Sequence, residues 1–278
     1  MNKNIDGKVV EDFGKEWSSF DQSAVPAAEL EAQFRRYFAL FPFDQLPENA
    51  QGFDLGCGSG RWARLVAPRV GSLYCVDPSP AALAVARKNL AGSGNCRFFL
   101  SGIDDMPLED NSMDFGYSLG VLHHVPNTQA GIQTCVSKLR PGAPFLLYLY
   151  YAFDNRPAWF KVLWKVSDML RRILSRSPYP LKYLASQLIA LLVYLPLARL
   201  ARLLERAGMK VDHIPLSAYR DKSLYTLRTD ALDRFGTRLE QRFSKKQIKV
   251  MMLRAGLENI RFSDQEPYWC AVGYKALL

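Results

Sequence analysis

The residues with the clearest chemical potential lie between Phe53 and Gly60, where Asp54 precedes three glycines spaced two apart, Gly56, Gly58 and Gly60. Without a Cβ, a chain can turn sharply and bring backbone N–H groups up to a ligand at the start of a helix. A dinucleotide-binding loop needs its third glycine three residues after the second, and Arg61 stands there instead. Asp77 closes the next apolar run, Leu73 to Val76, seventeen residues after Gly60. A carboxylate at such a strand tip can hold the ribose hydroxyls of a nucleoside cofactor. Further on, His123 and His124 are side chains able to accept a proton near neutral pH. Side chains one apart on a turn diverge, so one of the two is expected to face a pocket, and His124 is the better placed. The alternative is that both simply close the turn. A metal centre is not expected, since His213 is the only other histidine and no acidic cluster has ligand spacing.

These groups need a scaffold that brings strand ends together, and the elements for one are legible. Apolar runs at 53–55, 73–76, 97–100, 113–119 and 145–150 alternate with helical segments. Ser79 before Pro80 caps a helix running to Leu90, and Asn127 caps another that ends near Leu139. Ser244 to Ala255 has apolar residues at helical spacing and stops at Gly256. Ile260–Phe262 and Tyr268–Tyr274 read as two last strands, and Ala27 to Leu40 as an early helix. Alternation of this length predicts a parallel, doubly wound sheet.

Five segments, in order, resemble the class I S-adenosylmethionine (AdoMet) methyltransferases over about residues 50 to 150: Phe53–Gly60, the strand ending in Asp77, Ser101–Leu108, Met113–Pro126, and Lys138–Gly142 with Phe145–Tyr150. The resemblance implies an α/β fold, a Rossmann-like doubly wound, mostly parallel seven-stranded sheet whose last strand is antiparallel. It implies AdoMet as cofactor, held by Asp54, Gly56, Cys57, Gly58, Gly60, Asp77, Pro78, Ile103, Asp104, Leu119, Gly120 and, from an N-terminal helical cap over residues 1–46, Trp17. In the family the third loop packs on adenine with an acidic side chain on the exocyclic amine. Gly102 occupies the usual aspartate position here, which shifts that contact to Asp104.

The core reads as 47–153 and resumes at 244–278, so 154–243 is an insertion after strand five, implied to be a helical lid. Between Asn155 and Lys210 stand eleven Lys or Arg against Asp168 and Glu205, which accounts for the whole net charge of +9. Phe160, Leu163, Trp164, Leu170, Ile173 and Leu174 form an apolar stripe, with Lys161, Lys165, Asp168, Arg172 and Arg176 on another face. The simple expectation is a helix packed by its stripe with a solvated basic face; peripheral membrane contact through 155–210 and an anionic acceptor are the alternatives. Tyr183 to Ala198 carries no charge, but Pro196 interrupts it and it is short for a membrane span.

Candidate acceptor contacts are Tyr148, Tyr150 and Tyr151 at the end of strand five, whose faces attract a sulfonium, and Tyr219, Arg220, Tyr225 and Arg228 in the insertion. Core packing explains the alternate tyrosines as well. His124 is the candidate base for an alcohol or amine acceptor, because methyl transfer is an in-line displacement that needs the acceptor deprotonated and aligned. The expected activity is methylation of a small or lipid-linked metabolite at oxygen. C- or N-methylation, RNA methylation and a non-catalytic AdoMet-binding membrane protein are the alternatives. Nucleic acid is disfavoured: Ser118–Val121 lacks the Asp/Asn-Pro-Pro-aromatic signature, and no Pro-Cys nucleophile follows. Five scattered cysteines, an apolar fraction of 49% and a polar Met1–Glu16 without a signal-peptide core point to a cytoplasmic protein, with the inner membrane surface as its place of contact if the basic segment binds lipid.

Overall fold

A computed structural model describes residues 3–277. The chain forms two compact units. The first takes residues up to Ser23, Glu31–Ala152 and the chain from Leu239 onward; the second takes Ala24–Leu30 and Phe153–Arg238.

Among the described residues the first unit holds a seven-stranded sheet, β1 (Gln51–Leu55), β2 (Ser72–Asp77), β3 (Cys96–Leu100), β4 (Phe115–Leu119), β5 (Pro144–Tyr148), β6 (Leu257–Phe262) and β7 (Ala271–Lys275), in the order β3-β2-β1-β4-β5-β7-β6. The first five strands are parallel, and β7 is antiparallel to both of its neighbours. β1 and β4 are buried almost throughout, as a central parallel pair covered on both faces should be. Their register rests on a reciprocal fit. Gly52 pairs with Phe115 and Phe53 with Gly116, and a Cβ on either glycine would come within 2.3 Å of the opposite ring. The main core joins Phe53, Leu55, Val76, Leu122, Ile132, Phe145 and Leu147 to Ile248 and Met252 of the last helix.

The helices of this unit start where local caps dictate. α4 (Pro80–Asn89) is capped by Ser79, α5 (Thr128–Lys138) by Asn127, and α10 (Lys245–Arg254) by a Ser244–Gln247 capping box. The glycine loop after β1 leads into the single turn α3 (Ala63–Val66). α1 (Gly7–Ser19) was not evident from sequence patterning; Asp6 caps it by accepting from the N–H of Lys8 and Val9. It lies against the start of α4 at Gly14, where a Cβ would stand 2.7 Å from Ser79 Oγ. α2 (Ala27–Tyr37) ends three residues before the expected Leu40.

The second unit comprises α6 (Ala158–Leu174), α7 (Tyr179–Ile189), α8 (Leu195–Arg206) and α9 (Leu224–Gly236). It departs from the expected boundaries of 154–243 by yielding Leu239–Phe243 to the first unit and gaining Ala24–Leu30. Glu29 ties that short segment in, accepting from Ser223 N–H at 3.0 Å and from Thr226 Oγ1 at 2.6 Å. Pro196 does not break its helix. A π-helical turn over Ala190–Tyr194 joins α7 to α8 into one helical run, Tyr179–Arg206, of 28 residues. In a regular α-helix a proline ring clashes with the carbonyl four residues back, and the π-helical turn lies where that carbonyl, of Leu192, stands. By length and composition alone, that run could cross a membrane.

The expected stripe of α6 is split. Phe160, Trp164 and Leu174 are half-buried, but Leu163, Leu170 and Ile173 are exposed, while Asp168 and Arg171 are buried. The reason is a polar network. Arg171 donates to Asp168 Oδ1 at 2.6 Å and to the carbonyl of Thr237 at 2.9 Å, so the charged side of the helix is satisfied inward.

Candidate active site

All five parallel strands present their carboxyl ends on one edge of the sheet, and the loops leaving them gather most of the expected cofactor residues. Gly56, Gly58 and Gly60 have φ of +73°, +53° and +76°, a left-handed backbone that side chains resist. Each also faces a neighbour too close for a Cβ: Val121 at 2.4 Å, the Trp17 indole at 2.9 Å and Leu90 at 2.9 Å. Gly56 N–H donates to Val76 O at 2.7 Å and Gly58 N–H to Asp77 Oδ2 at 2.9 Å, which lashes the loop to the end of β2. Cys57 is buried in this loop, and Pro78 is half-exposed beyond Asp77.

Two buried carboxyls stand behind the loop. Asp54 accepts from the Tyr117 hydroxyl at 3.0 Å, and burial pushes its pKa from 3.8 to about 8. Asp77 is raised by burial to about 6, held there against the lowering effect of N–H groups from Ser79 and Gly58. On the next loop Ile103 is buried and Asp104 exposed, with Asp104 Oδ2 accepting from the Asn4 backbone N–H at 2.5 Å. Asn4 also exchanges hydrogen bonds with the backbone of Asn127, strapping the N-terminal segment across the strand ends.

At the end of β4, Leu119 is buried and Gly120 has φ +78°, with nothing within 4 Å of a built Cβ. His123 and His124 follow on one 3-10 turn, Leu122–His124. The expected divergence does not occur. Their ring centroids are 3.9 Å apart and both rings are buried, because Tyr150 lies beside them, 3.8 Å from His123 and 5.6 Å from His124. Phe13 of α1 packs on His124 at 5.0 Å. His124 Nδ1 is 2.6 Å from the carbonyl oxygen of Leu239. A carbonyl only accepts, so Nδ1 carries the proton and Nε2 is the basic nitrogen of the neutral ring. Neither ring nitrogen of His123 has a hydrogen-bond partner, and burial, then the neighbouring His124 and Arg242, which oppose a second positive charge there, hold its pKa well below 6.5.

A model of the methyltransferase domain family matches residues 53–147, the stretch that carries this loop, Asp77 and the histidine turn. This stretch is the core domain of a class I AdoMet-dependent methyltransferase. A ubiquinone biosynthesis O-methyltransferase of Xanthomonas axonopodis pv. citri (strain 306) is 25% identical over 189 residues, 66% of this chain and 74% of that protein. Two solved structures share the fold. One is a possible histamine N-methyltransferase from Thermotoga maritima, with TM-score 0.53, 12% identity, and 97% and 100% of the two chains covered. The other is a Haemonchus contortus N-methyltransferase in complex with phosphomonomethylethanolamine and S-adenosylhomocysteine, with TM-score 0.50, 16% identity, and 93% of this chain and 44% of that one covered.

The residues of this methyltransferase fit AdoMet. When bound, the cofactor supplies an electrophilic methyl on a sulfonium. An ionised carboxylate has about four acceptor positions, so Asp77, with two taken by Gly58 and Ser79, retains capacity for the two ribose hydroxyls. Ser59 Oγ, in the same glycine loop, is buried without a hydrogen-bond partner, and the open side of Gly120 leaves room at the end of β4.

The raised carboxyls make the free enzyme pH-sensitive. Asp54 and Asp77 keep protons in the folded state that the unfolded chain has already released, so their contribution is full below pH about 4 and is lost as pH rises through about 6 and about 8. Asp54→Asn removes the larger part. Thermal unfolding without ligand should show the wild type losing stability between pH 5 and pH 8.5 more steeply than the variant; parallel curves would refute the protonated Asp54.

The expected acceptor contacts fall in both units. Tyr148 sits 5.1 Å from the Tyr37 ring with its phenol pushed further from ionisation by burial, Tyr150 stacks on His123, and Tyr151 packs on Tyr268 at 5.5 Å. Tyr219, Arg220, Tyr225 and Arg228 belong to the second unit. There Arg220 pairs with Glu205 at 2.7 Å, Arg228 donates to Gln187 Oε1 at 2.6 Å, and Tyr219 packs on Tyr194. Residues 239–243 escaped the sequence reading. They run beside the histidine turn and the end of β5, with Gln241 N–H on His123 O and Phe243 N–H on Tyr150 O. Arg242, paired with Glu240 at 2.8 Å, lies over the Tyr150 ring. No periodicity marks such a segment, because its partners lie about a hundred residues away.

Proposed function

We propose that this methyltransferase transfers the AdoMet methyl group to an oxygen of a small, lipid-linked metabolite, with His124 as general base. The observation that carries the reading is the His124 ring: Leu239 O accepts the Nδ1–H hydrogen bond, which leaves Nε2 as the basic nitrogen, at the end of the strand that adjoins the glycine loop. An alcohol or phenol needs such a base, because its proton must leave as the methyl arrives. The imidazolium that forms would keep its Nδ1–H bond to the Leu239 carbonyl beside the edge-packed rings of Phe13 and Tyr150. The relative's name supports both oxygen as acceptor atom and a lipid-linked acceptor.

Such acceptors reside in membranes, and the exposed cations of 155–210, Lys165, Arg172, Arg176, Arg206 and Lys210, support work at an anionic membrane surface. The direct test incubates enzyme and AdoMet with a prenylated catechol, a prenylated amine and a short-chain catechol, followed by mass spectrometry. A methyl ether on the prenylated catechol is expected. Methylation of the amine alone, or at carbon alone, would overturn the oxygen assignment.

A further inference from the structure

The second unit keeps a small apolar core around Tyr194, Leu227 and Phe235, yet it also buries several charged side chains and turns many large apolar ones outward. Arg171 is 4% and Lys182 3% exposed, whereas Ile173 is 68% and Leu192 72% exposed. On α6 the exposed set, Trp159, Val162, Val166, Met169 and Ile173, recurs at helical spacing on one side. On the α7–α8 run Leu181, Leu184, Leu188 and Leu192 are exposed, together with Leu191, Val193, Leu200 and Leu203. A water-facing helix places its residues the other way round.

We propose that these two helical faces are a docking surface for an anionic phospholipid bilayer, lying in its interfacial layer rather than crossing it. The proposal deepens, and rests on, the membrane-surface reading above, but it moves the main contact from the cations to the apolar side chains. The 28-residue run is long enough to span. Its inner side, however, is committed to polar partners along its length: Lys182 Nζ donates to Gly236 O at 3.2 Å, Gln187 accepts from Arg228, and Arg199 donates to the carbonyls of Arg220 and Lys222. Groups such as these cannot be surrounded by hydrocarbon, so only the outer side is available to lipid.

Charge selects the occupant. Lys165, Arg172, which also pairs with Asp168, and Arg176 just beyond the helix are exposed beside the α6 face, where long cationic side chains can reach headgroup phosphates. A second copy of this chain would bring another surplus of nine positive charges against the same face, which opposes self-association and favours an anionic bilayer.

The test uses the full chain with vesicles of phosphatidylcholine alone or with phosphatidylglycerol, at low and raised salt. Wild type should co-sediment with the anionic vesicles and keep part of that binding at raised salt. Brominated acyl chains should quench its fluorescence, and the quenching should vanish in Trp159→Phe. V166E/M169E/I173E and L188E/L192E should each weaken vesicle binding by about tenfold or more, with AdoMet affinity and helicity unchanged. Absence of any vesicle binding would sink both this proposal and the membrane-surface reading. Salt-abolished binding that ignores the glutamates and leaves fluorescence unquenched would overturn this proposal alone. So would a stable dimer in solution that the same glutamates dissociate. Methylation of a detergent-dispersed acceptor reports separately on the activity.

Discussion

His124→Ala should lower kcat about a hundredfold or more while leaving AdoMet affinity nearly intact. The expectation follows from the ring's position: its Nδ1 is occupied by the carbonyl of Leu239, and it is packed between Phe13 and the His123–Tyr150 stack. Removing the ring takes away the proton acceptor but no group of the glycine loop. Steady-state kinetics with the identified acceptor, alongside AdoMet titration, separate the two contributions. Unchanged turnover would assign His124 to closing the turn after β4. His123→Phe provides the internal contrast. Its ring nitrogens make no hydrogen bonds and its pKa is depressed by burial, so an apolar ring of similar shape should retain activity within about tenfold.

Asp77→Ala should weaken AdoMet binding by about 1 to 3 kcal/mol, or roughly five- to 150-fold. Two effects act in the same direction. The carboxylate that would hold the ribose is lost, and the N–H of Gly58 and of Ser79 lose their acceptor, which loosens the loop. Asp77→Asn, keeping one acceptor oxygen, should lie between wild type and alanine. Equal affinities for all three proteins, measured calorimetrically, would remove Asp77 from the site.

Local rules made much of this core legible. The caps Ser79, Asn127 and Ser244 act within four residues of themselves, and all three begin the helices expected of them. The glycine spacing is equally local, since each glycine meets a left-handed turn that it alone tolerates well. Strand order beyond simple alternation came through family resemblance, and the sheet follows it, with β7 between β5 and β6.

What was not legible depends on partners distant in the chain. Periodicity divides α6 into two faces but does not say which one is buried; beside its near neighbour Asp168, the distant acceptor that draws Arg171 inward is the carbonyl of Thr237. The two histidines converge because Tyr150 and the returning segment 239–243 enclose them. Asp104, expected at adenine, has one oxygen engaged by Asn4, a contact across a hundred residues that no motif encodes.

The central claim is that the loop from Asp54 to Gly60, with Asp77 and the strand ends beside it, holds AdoMet. Calorimetric titration of the purified protein with AdoMet, S-adenosylhomocysteine and NAD tests it most directly. Saturable one-site binding of AdoMet and S-adenosylhomocysteine is the predicted result, weakened in Gly58→Val, whose side chain would enter the Trp17 indole and strain a φ of +53°. Binding of NAD with no heat from AdoMet would contradict the account.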